Sequence, residues 1–217
     1  MDMDIAMLVG QRFRQVHSAG FSLVEVLVSV VILTIGLLGM VGMQAGALQA
    51  NREARLQSTA VGLARELADM MRGNKETGLK VNAADNPYLG EFVIPAAPAA
   101  PTLALADPDY CLNVGSSCDG VNGAKKVAAA QMTEWLPRVS DLLPGARVTV
   151  CLDTTPFDAN GLPNKWSEGC TFTPGEDAMT VIKIGWTRRS TELGTLDRAD
   201  EDARPGVVIP VTAGFEE

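Results

Sequence analysis

The stretch Gly20–Gly36, "GFSLVEVLVSVVILTIG", places a single carboxylate, Glu25, near the head of an otherwise apolar run that continues to Met43. A helix over residues 21–43, rising about 1.5 Å per residue, reaches roughly 35 Å, enough to cross a hydrocarbon core of about 30 Å. Arg12, Arg14 and His17, the only histidine, precede it, with Asp2 and Asp4 further out. Positive residues beside an apolar span hold their side in the cytoplasm. The sequence therefore predicts a single pass with a cytoplasmic N-terminus and an exported remainder. A cleaved secretory signal has a shorter apolar core followed by small residues, whereas here Ser18, Ala19 and Gly20 come before the apolar block. A plain uncleaved anchor tolerates Glu25 by snorkelling, at a cost of about 3 kcal/mol. It gives no reason for the order Gly20, Phe21, Glu25.

That order resembles the class III signal of type IV pilins and pseudopilins. The resemblance implies that residues 1–20 are a cytoplasmic leader, cut after Gly20 by the membrane aspartyl prepilin peptidase. Phe21 then becomes the first mature residue and is N-methylated, and Glu25 is the glutamate at the fifth mature position. A carboxylate among apolar helices is expensive alone and tolerable beside a cation, and cleavage creates a cation at Phe21. The two groups lie one helical turn apart in one chain, and the resemblance implies pairing with a neighbouring subunit in a filament. Such a pair sets register, because apolar helices otherwise slide freely. Gly36, Gly39 and Gly42 fall on or near one face, where small residues favour helix packing or leave a weak point. Major pilins usually carry proline where Gly42 stands, so this chain departs from them there.

Beyond the membrane the helix continues as an amphipathic segment over residues 44–74. Leu48, Leu56, Leu63, Leu67 and Met70 recur at helical spacing and are expected to pack on the protein's own sheet. Arg52, Glu53, Arg65, Glu66 and Asp69 fall opposite, and Gly73-Asn74 is a stop signal. Residues 75–145 read as a loop region with one short helix. "AAPAAPTLALADP" at its centre cannot hold a helix or a central strand. "GAKKVAAAQMTEWL" is the helix, ending or kinked near Pro137, with "VSDLL" as a possible extension before the Pro144-Gly145 turn. Residues 146–217 supply strands at "ARVTVCL", "MTVIKIGWT" and "VVIPVTA". The first two alternate with period two, so each is expected to bury one face. The fold class is α+β, a long helix on a small antiparallel sheet.

Cys111, Cys118, Cys151 and Cys170 contain no CxxC, and no histidine stands near them to complete a zinc site. In an exported domain an even count reads as two disulfides. Three pairings are possible, and short loops favour Cys111–Cys118 with Cys151–Cys170.

"LARELADMMRGN", "EWLPRVSDLLPGARVTV" and "VIKIGWTRR" narrow the resemblance to the PilV group of type IV pilus modification proteins, which are minor pilins. This implies a scarce subunit that initiates or primes pilus assembly in a tip complex, with other minor pilins, the major pilin, prepilin peptidase and inner-membrane lipid as partners. A pseudopilin of a type II secretion system is the competing reading, and a tip adhesin with a binding loop between Tyr88 and Cys118 is a third. An enzyme finds little support. The mature chain would lack histidine, and no GxSxG, Walker or GxGxxG motif occurs. No cofactor or metal is expected; Asp197, Asp200 and Asp202 are the weak exception, a candidate Ca²⁺ cluster without an EF-hand pattern. The formal net charge of −8, with no basic cluster, makes nucleic acid a poor candidate partner, and none is expected.

Overall fold

A computed structural model describes residues 20–94, 102–166, 168–173, 178–187 and 203–212. Helix α1 spans Leu23–Gly73, α2 is the single turn Lys75–Gly78, and α3 spans Gly123–Leu142. Strands β1 (Gly90–Val93), β2 (Arg147–Asp153), β3 (Cys170–Thr171), β4 (Met179–Gly185) and β5 (Val207–Val211) form one antiparallel sheet. Its order is β1-β2-β4-β5, with β3 pairing the far end of β2. A long apolar N-terminal helix with a small antiparallel sheet is the α+β architecture of type IV pilin-like proteins.

The chain divides into two compact units, Met1–Gln49 and Ala50–Glu217. In the first, every described side chain from Phe21 to Gln49 is exposed. Two hydroxyls within this apolar stretch bond back to the helix: Ser29 Oγ donates to the Glu25 carbonyl at 2.6 Å and Thr34 Oγ1 to the Val31 carbonyl at 2.8 Å.

In the second unit the buried stripe of α1 is Ala60, Leu63, Ala64, Leu67, Ala68 and Met71. The leucine periodicity finds this face only in part. Leu56 and Met70 are half-buried and Leu48 is exposed, while three alanines supply close approach. The stripe packs with Trp135, Leu136 and Val139 of α3 and with Val148, Val150, Ile182, Ile184 and Val207 of the sheet. Helix α3 runs through Pro137 to Leu142, so all of "VSDLL" but its last residue, the C-cap Leu143, belongs to it. Apolar contacts on both sides of the proline, at Leu136 and Val139, offset the hydrogen bond that proline removes.

Two expectations need correction. The region 75–145 contains a strand, β1, which registers Phe92 opposite Val148. Its four residues are too few to show a period, and pairing with a distant strand creates it. Secondly, β2 buries both faces. Val148 and Val150 face the helices, while Arg147, Thr149, Cys151 and Asp153 lie on the opposite face and are also buried. Residues of the 154–170 segment roof that second face. Trp166 stacks on the Arg147 guanidinium at 4.7 Å, and Arg147 also binds Glu91. Lys183 of β4, which pairs with Thr149 in the ladder, reaches along the same face to meet Asp153 Oδ2 at 2.7 Å, with both side chains fully buried. The Cys151–Cys170 disulfide ties the far end of the roof to β2.

Tyr88 joins α1, α3 and the connection between them. It is fully buried, and its hydroxyl contacts Gln131 Oε1 and receives Asn74 Nδ2 at 3.4 Å. Burial pushes the phenol above its ordinary value, and the Asn74 bond pulls weakly the other way.

Candidate functional site

The head of α1 is where the sequence concentrates its unusual chemistry. Gly20 and Phe21 are exposed, and regular helix begins at Leu23. The Ser22 carbonyl accepts the N–H of Glu25 at 3.0 Å and of Val26 at 3.2 Å. Ser22 is therefore the residue at which helical hydrogen bonding starts, and Glu25 sits in the first turn. A carboxylate there opposes the positive end of the helix dipole, worth roughly 0.3–1 kcal/mol in an exposed setting. Reasoning outward from the glycine overlooks Ser22. The Ser-x-x-Glu spacing ahead of an apolar run is the signal that finds it.

Glu25 is the only charged residue between His17 and Arg52. Gly20 is equally informative. It has no positive φ, and a Cβ built on it would meet nothing within 4 Å. Among the described residues nothing packs against this glycine. Gly36, Gly39, Gly42 and Gly46 are likewise open above the Cα.

The other residues singled out by sequence lie in the second unit. Disulfides join Cys111 to Cys118, with Cα atoms 4.9 Å apart, and Cys151 to Cys170, 5.7 Å apart. The first closes a surface ring and the second anchors the roof over β2. Among the described residues no group of three or more His, Cys, Asp or Glu side chains is arranged to hold a metal. Asp197, Asp200 and Asp202, like Arg12, Arg14 and His17, lie outside the described residues.

The first helix is long and apolar enough to cross a membrane. Together with the small antiparallel sheet it gives the chain a type IV pilin-like α+β architecture. Residues 16–41 match the family model described as the prokaryotic N-terminal methylation motif, which spans Gly20, Phe21, Ser22 and Glu25. This is the class III signal shared by pilins and pseudopilins, and it implies processing by prepilin peptidase and pilus-type assembly. Comparisons with curated proteins and with solved structures return no match.

Proposed function

We propose that this chain is a minor pilin of the PilV group, which takes part in initiating type IV pilus assembly from the inner membrane. The observation that carries the reading is the order Gly20, Phe21, Glu25 at the head of an apolar helix, with the glycine free of contacts among the described residues. Prepilin peptidase cuts after Gly20 on the cytoplasmic side, and the new amine at Phe21 is methylated. Glu25 then finds its counter-charge in an N-terminal amine, its own or a neighbour's. In an apolar layer that contact discriminates between helix offsets, because a misplaced carboxylate stays unpaired. The C-terminal unit, with its two disulfides, stands in the oxidising periplasm. "LARELADMMRGN" and "EWLPRVSDLLPGARVTV" support the PilV group over a secretion pseudopilin.

Two substitutions separate processing from assembly. Gly20→Val is expected to leave an uncut membrane protein, seen as a heavier band by immunoblot; normal cleavage would refute the peptidase reading. Glu25→Ala is expected to be cut and inserted yet to leave cells with few or no pili, and wild-type pilus counts would refute the register role. Deleting the gene is expected to abolish twitching motility and to spare enzyme export; the reverse result would assign the chain to type II secretion.

A further inference from the structure

The ring closed by Cys111–Cys118 carries apolar side chains that its own fold does not use. Val114 at its crest is 107 % exposed, Tyr110 at its base 58 %, and Val121 just beyond it 86 %; Leu112 is about half exposed. The ring is nevertheless well fixed. Cys111 is buried, and its N–H binds Asp109 Oδ1 at 2.8 Å. The Asp109 N–H in turn binds Thr133 Oγ1 of α3 at 3.1 Å. Asn113 and Ser116 close successive turns onto the carbonyls of Tyr110 and Asn113. On the other side, the Cys118 carbonyl sits so close to Gly123 that a Cβ there would meet it at 2.7 Å. A stiff loop presenting valine, leucine and tyrosine to water loses little entropy on docking, which is the economy of a recognition surface.

Charge states which surface it fits. Every charged residue between Lys80 and Lys125 is acidic, and Asp107, Asp109 and Asp119 flank the ring without a cation among them. Asp107 and Asp119 are exposed, and Asp119 Oδ2 accepts the neighbouring Ser117 hydroxyl at 2.5 Å. Like charges at an interface repel wrong partners and complementary ones steer right ones. We propose that the Cys111–Cys118 ring is a protein-docking surface whose partner presents an apolar recess for Val114, rimmed by lysine or arginine. This goes beyond the assembly reading, which rests on the first helix.

The test is photo-crosslinking in the native cell, using the full chain with a photoreactive phenylalanine analogue at Val114, or at the exposed Leu162 as control. The expected result is a discrete protein adduct from Val114 alone. Its partner peptide, sequenced by mass spectrometry, contains apolar residues bounded by Lys or Arg. Asp107→Lys with Asp119→Lys is expected to cut the adduct about five-fold or more, with processing and pilus number unchanged. Raising the ionic strength on isolated pili or membranes is expected to lower the adduct of the unsubstituted ring as well, which guards against a misfolded variant. Adducts to lipid only, a partner peptide without basic residues, or yields indifferent to both charge reversal and salt would each overturn the proposal. Because piliation is scored on the same cells, such a failure leaves the assembly reading standing.

Discussion

Asp153 and Lys183 are the residues whose environment departs furthest from what their identities suggest. In "MTVIKIG" the lysine alternates with apolar neighbours and reads as the solvent side of a strand. It is instead fully buried, 2.7 Å from an equally buried carboxylate. The roof over that face comes from residues that a period-two pattern cannot see, chiefly Trp166 and the chain held by Cys170. Removing one member of a buried pair leaves an uncompensated charge, which costs about 3–5 kcal/mol, whereas replacing both with apolar groups is often near neutral. Asp153→Ala is thus expected to lower the urea midpoint sharply. Asp153→Leu with Lys183→Met should recover most of the loss, followed by fluorescence of Trp135, Trp166 and Trp186. The recovery will be incomplete, because Asp153 Oδ1 also receives the Thr155 N–H at 2.7 Å. At the other end of the chain, the reading of Gly20 and Glu25 rests on spacing and not on packing, so the fold adds nothing to it.

At the level of elements, α1 shows how composition sets two environments along one helix. Its first part is apolar all round, a pattern that suits lipid or other helices. Its second part buries a stripe in which leucine and alanine alternate by turns. Leucines 63 and 67 were readable from periodicity, whereas Ala60, Ala64 and Ala68 were not, since alanine is common on both faces of helices. The difference is measurable. Leu67→Ala is expected to cost about 2–5 kcal/mol in unfolding of the detergent-solubilised chain. Leu48→Ala, on an exposed side chain, should fall within about 0.5 kcal/mol. Equal losses at both positions would show that Leu48 has a partner within the chain. Strand β1 stayed hidden for a different reason: Gly90 and Glu91 are poor strand formers, and only the ladder to β2 makes them one.

For the whole molecule, the two disulfides have a mechanical meaning. In the pilus proposed above, a subunit under tension lengthens only by as much chain as its covalent loops allow. The bonds short-circuit sequence separations of 7 and 19 residues, holding Cα atoms 4.9 and 5.7 Å apart. At about 3.4 Å per extended residue, they withhold roughly 20 and 60 Å of contour. Single-molecule stretching of the C-terminal unit should therefore gain about 80 Å on complete unfolding when a reductant is present. Identical lengths with and without reductant would mean the bridges are not closed. The Cys111–Cys118 bond also sits where the chain leading back to α1 meets the chain entering α3. Tension passing from one route to the other runs through the bond and leaves the ring between them slack.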